Sequence, residues 1–187
     1  GAQPPPSDVP PLVSSSPVAQ FVVGGSTMGI ATFKLKTGSV GTSATVNKLS
    51  FTTSGADAIT SITVGGVTSS VIGSGAGATT TVSGLNIAVP YTGVDVPVTV
   101  RFSGFLGSTT GGSLSSGIAS VKITLGHVEG TSGTGSVITN TTPVDSNTMK
   151  LYASKPTVSG PTTSTGTLSS GVQKIGEFTI AADTNGK

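Results

Sequence analysis

Hydrophobic and polar residues alternate in short runs along most of this chain. The alternation is cleanest in Phe33-Lys34-Leu35-Lys36 and in Val98-Thr99-Val100-Arg101-Phe102. Successive side chains of an extended strand point to opposite faces, so Phe33, Leu35, Val98, Val100 and Phe102 are expected to face inward and the charges to face water. The same period, with Val, Ile and Thr enrichment, predicts strands at 19–23, 29–36, 44–53, 59–64, 67–72, 79–82, 84–89, 96–103, 117–125, 135–140, 148–153 and 172–181. Gly, Ser, Asn or Pro fills almost every gap, and one strand per roughly ten residues is the pattern of a sandwich. No window of a dozen residues carries a 3.6-residue apolar period, so the expected class is all-β, an antiparallel β-sandwich.

The two ends depart from this pattern. Residues 1–17 hold six of the eleven prolines, which favours extended polyproline-II geometry. Residues 1–18 are therefore read as an arm or linker, 19–155 as the sandwich, and 156–187 as a further linker with a terminal strand. Pro4, Pro5, Pro6, Val9, Pro10 and Pro11 are the candidate contacts of that arm with a neighbouring subunit or domain. An internal echo links the ends. A shift of 145 positions places Pro11, Val13 and Ser14 beside Pro156, Val158 and Ser159, and Ile30-x-x-Phe33-x-Leu35 beside Ile175-x-x-Phe178-x-Ile180. A lone opening strand cannot bury its apolar face or pair its backbone. Val172, Ile175, Phe178 and Ile180 are thus candidates for the last strand of this sandwich, for a strand donated to a neighbour, or for the start of a second repeat.

Composition sharpens the class. The chain of 187 residues contains 28 Ser, 31 Thr and 28 Gly, only 9% charged residues and a formal net charge of +2. Disordered chains combine low hydropathy with high net charge, whereas mean hydropathy here is positive. The lysines Lys34, Lys36, Lys48, Lys122, Lys150, Lys155 and Lys174 are scattered, so no nucleic-acid footprint is expected. No apolar run of 18 residues occurs, so neither a transmembrane helix nor membrane insertion is expected. The lack of cysteine removes thiol chemistry but not an oxidising location, because a core of this size can form without disulfides.

Reactive groups are sparse. His127 is the single histidine, read as a surface residue near a strand end with Glu129 on the same face; one imidazole and one carboxylate do not make a closed zinc site. The acids form no D-x-D-x-D loop, and Asp57 or Asp95 with loop carbonyls is the weaker calcium reading; the other reading is that each carboxylate faces water or caps a turn. Lys34, Lys48 or Lys122 with Asn47, Asn86 or Asn140 are the candidates for an isopeptide cross-link. Asn140-Thr141-Thr142 is the one N-x-S/T sequon, making Asn140 the candidate glycosylation site. No G-x-S-x-G elbow and no phosphate loop occurs. No catalytic residue, cofactor or metal site is expected, and the chain is read as a non-enzyme.

The runs Ile30-Ala31-Thr32-Phe33-Lys34-Leu35, Val46-x-x-Leu49-x-Phe51-Thr52-Thr53, Gly84-Leu85-Asn86-Ile87-Ala88-Val89-Pro90 and Phe178-Thr179-Ile180-Ala181-Ala182-Asp183 resemble Ig-like tandem modules of prokaryotic surface and S-layer-type proteins. The organisation is also similar to that of donor-strand filament subunits. The resemblance implies an Ig-like sandwich at the cell surface with no catalytic residues. The expected function is a structural subunit of an extracellular assembly, a filament, surface layer or stalk, self-associating through strand pairing. An Ig-like adhesin or accessory module binding a glycan or surface ligand is the alternative, and a viral capsid or tail protein the second.

Overall fold

The computed structural model describes residues 16–54, 57–72, 77–105, 112–114, 119–153, 156–163, 170–172 and 176–182. Among them there is no helix, and the fold is an all-β sandwich, as the alternation predicts. One sheet contains β2 (Thr27–Leu35), β4 (Ile59–Val64), β5 (Val67–Ser70) and β7 (Val94–Phe102), in the order β2-β7-β4-β5. The other is built on β10 (Ala119–Ser132), flanked on one side by β3 (Ser43–Ser54) and then β6 (Thr79–Pro90). Along its other side β10 meets β13 (Met149–Tyr152), β12 (Val144–Asp145) and β11 (Val137–Asn140) in succession, and β1 (Phe21–Val23) runs parallel to β13 at the margin. A small parallel pair, β8 (Gly104–Phe105) with β9 (Gly112–Leu114), and an antiparallel pair, β14 (Thr157–Thr163) with β15 (Gly176–Ala181), complete the strands.

The core lies between the two sheets. Ile30, Phe33 and Leu35 of β2 and Val96, Val98, Val100 and Phe102 of β7 face Val46, Leu49 and Phe51 of β3, Val82 of β6 and Val121, Ile123 and Leu125 of β10. Phe33 and Phe51 meet with ring centroids 6.2 Å apart. On β7 these side chains are the apolar half of one unbroken alternation.

Bulges explain where the pattern misleads. On β3 the buried set changes parity from Ala44 and Val46 to Leu49 and Phe51, because Asn47 is an extra residue against β10. On β6 the parity changes between Val82 and Leu85, and Gly84 takes a left-handed φ of 78°, a conformation open to glycine without steric cost. The segments expected as two strands, 79–82 and 84–89, are therefore one strand with a bulge. On β10 the register slips at Gly126. That slip turns His127 and Glu129 to the outer face, where continued alternation would have pointed His127 inward. The strand expected to stop at residue 125 continues to Ser132, and His127 sits mid-strand and not near an end. Gly130 then packs against β3 so closely that a Cβ there would strike the Thr45 carbonyl.

Ser16 and Pro17, assigned to the arm by sequence, touch the body. Ser16 is buried and its Oγ accepts the Thr32 N–H of β2 at 3.1 Å, while the Pro17 carbonyl accepts from Asn147 Nδ2 at 2.8 Å. The chain there bridges the β2 edge of one sheet and the β13 side of the other. Pro4, Pro5, Pro6, Val9, Pro10 and Pro11 lie outside the described residues.

Candidate functional site

The outer face of β10 and β3 carries a polar ladder. Lys48 Nζ donates to Glu129 Oε1 at 2.8 Å, and His127 Nε2 lies 3.6 Å from Glu129 Oε2. Further along, Lys122 Nζ donates to Asp145 Oδ2, and Thr124 Oγ1 donates to Asp145 Oδ1 at 2.6 Å. The hydrogen bond from Lys48 holds the Glu129 carboxyl below its ordinary value, His127 adding to the effect; the hydrogen bonds from Lys122 and Thr124 do the same for Asp145. These groups are partly exposed and ion-paired across neighbouring strands, so they favour the observed strand register, and solvent screens each pair. Sequence reading missed both pairs because their members lie 81 and 23 residues apart. Lys48 and Lys122, candidates for an isopeptide bond, direct their amines to carboxylates; Lys34 Nζ lies 3.9 Å from Asp95.

At one end of the sandwich an open cavity of about 230 Å³ is lined by Thr53, Asp57, Ile59, Thr60, Val71, Ala78 and Ser103. Asp57 brings the cavity's one carboxylate, and its carbonyl accepts the Ser103 hydroxyl. Asp57 and Asp95 are not brought into a shared site with other ligating side chains: among the described residues no group of three His, Cys, Asp or Glu is positioned to hold a metal ion. Asn140 ends β11, and its Oδ1 accepts the Thr142 N–H at 2.8 Å. This Asx turn sets the sequon in the exposed stretch 141–143.

The apolar counterpart of this polar surface is β14 with β15. Val158 pairs with Ile180, and Phe178 stands two residues from Ile180 on the same strand, so the three side chains share one face. The other face carries Thr157, Ser159, Glu177 and Thr179. Gly160 and Pro161 form a bulge opposite Phe178; Pro161 has no N–H to leave unpaired there. Val158, Phe178 and Ile180 are 65%, 63% and 62% exposed. Neither strand pairs with a strand of the two large sheets. Of the four residues expected to form an intersubunit strand, Phe178 and Ile180 are thus brought together on an uncovered face. Val172 is fully exposed before the strand, and Ile175 lies outside the described residues. Val158 was missed because Ser159-Gly160-Pro161 reads as linker; the echo that sets Val158 beside Val13 is the signal that marks it.

No family model, curated protein or solved structure matches this chain.

Proposed function

We propose that the chain is a non-catalytic structural subunit of an extracellular assembly, a filament, surface layer or stalk, in which sandwiches are joined by strand pairing and apolar packing. The observation that carries the reading is the uncovered face of Val158, Phe178 and Ile180 on a two-stranded sheet. Such a pair is marginal in water by itself and needs a third strand or a packed face. Its backbone edges and its apolar side chains supply the two components of strand addition, main-chain hydrogen bonds and side chains that fill pockets. The Ser-, Thr- and Gly-rich, sparsely charged composition and the polar ladder on the outer face of β10 and β3 accord with a building block exposed to solvent.

The test is electron microscopy of native material from the source, with gold-labelled antibody raised against residues 19–153. Periodic labelling along a fibre, sheet or stalk is expected, with a repeat on the order of 45 Å, the length of a strand such as β10 at roughly 3.3 Å per residue. Label confined to free, unassembled protein would reject the proposal.

A further inference from the structure

The pairing of β14 with β15 brings together the two stretches of the echo whose counterparts meet where the chain enters the sandwich. Ser16 meets Thr32 where the entering chain crosses the β2 edge. Moving both by 145 positions gives Pro161 and Glu177, and Glu177 pairs with Thr162, one residue from Pro161. The contacts differ in kind, a side-chain hydroxyl accepting from β2 in one case and a backbone ladder in the other, but each sets the segment around residue 16 or 161 beside the strand that follows it. The alternation matches as well. Phe33 and Leu35 correspond to Phe178 and Ile180, and the outward-facing Thr32 and Lys34 to Glu177 and Thr179.

The surroundings differ in one respect. Phe33 and Leu35 are 1% and 4% exposed because β7 pairs with β2 and the facing sheet covers them; Phe178 and Ile180 have no such cover. We infer that residues 157–181 are the opening segments of a second sandwich of this same fold, and that what covers Val158, Phe178 and Ile180 is the remainder of that sandwich, from its β3 equivalent onward. The inference rests on the reading of β14 and β15 as a joining element and names its partner. An intact second copy does not fit the role, because its own β2 already occupies the place alongside β7. The two sandwiches are then consecutive in one chain, β13 closing the first and β14 opening the second.

The test supplies the missing part. The chain through Ala182 is continued by a second copy of residues 38–155, which restores the 145-residue period. The chain has no cysteine, so Ile180→Cys gives a single thiol whose labelling rate reports cover at this face, and Val137→Cys, on an exposed residue, gives the reference. Expected is thiol labelling at 180 slowed by about tenfold or more in the extended chain, unchanged labelling at 137, and a second unfolding transition or a near doubling of the calorimetric enthalpy. Phe178→Asp in the extended chain should restore fast labelling at 180 and remove only the second sandwich. An appended segment that stays unfolded, or one that folds with thiol 180 still reactive, overturns the inference. So does protection of thiol 180 in the original chain through dimerisation, which would make an intact copy the occupant. None of these outcomes depends on whether native material forms fibres, so failure here and failure of the assembly proposal are separate results.

Discussion

Phe33 and Phe178 occupy equivalent positions of the echo in opposite environments, so truncating each to alanine should have very different costs. Phe33 is fully buried and packs against Phe51. Removing its ring leaves a cavity between the two packed sheets, and the cost should be about 4 kcal/mol. Phe178 is 63% exposed on a strand pair outside the large sheets, and Phe178→Ala should cost no more than about 0.5 kcal/mol in the isolated chain. With a urea slope of about 2 kcal/mol per molar for a domain of this size, the midpoint should fall by about 2 M for Phe33→Ala and by at most about 0.25 M for Phe178→Ala. Urea unfolding followed by circular dichroism measures both. A loss for Phe178→Ala comparable with that for Phe33→Ala would mean that β15 already shares the core of the first sandwich, and the reasoning from exposure would fail.

Other outcomes follow from single features. The Thr80 hydroxyl is buried and makes no hydrogen bond among the described residues; Thr80→Val keeps the shape, removes the unpaired group and should raise stability by about 1 kcal/mol, read as a higher urea midpoint. Gly130→Ala drives a Cβ into the Thr45 carbonyl across the β10–β3 ladder and should cost about 1–3 kcal/mol, measured the same way. Asp145 and Glu129 have folded pKa values below their ordinary 3.8 and 4.5, so their contribution is present above those values and is lost as pH falls through the lower folded ones. The urea midpoint should fall on acidification below about pH 4, and Lys122→Met should flatten the Asp145 part of that fall.

The alternation in β2 and β7 makes their core face readable directly from Phe33-Lys34-Leu35 and Val98-Thr99-Val100. It fails in β10 because Gly126 inserts an extra residue that resets the parity, so Gly126-His127-Val128-Glu129-Gly130 looks like a turn although it is mid-strand. Local sequence carries no sign of such a slip; only the neighbouring strand shows it, through the compensating extra residue at Asn47. β11 falls within the strand expected at 135–140, whereas β12 is two residues held by one long partner, and its own pattern is too brief to register. At the candidate joint, Phe178 and Ile180 are legible as an apolar strand face, whereas the Val158 side is obscured by the Gly160-Pro161 bulge. The Lys48–Glu129 and Lys122–Asp145 pairs were invisible for a different reason: strand order alone brings such residues together.

The parallel pairing of β1 with β13 fixes how the sandwich would respond to a pull. The chain enters along β1 and leaves along β13, so tension applied at residues 20 and 153 draws the two strands past each other lengthwise. The Lys150 N–H to Gln20 carbonyl and Gly24 N–H to Tyr152 carbonyl bonds, 2.9 and 2.8 Å long, then bear load together and cannot open one at a time like a zipper. A bead of this design resists extension at the point where force enters it, and its buried layer stays sealed until that short patch shears.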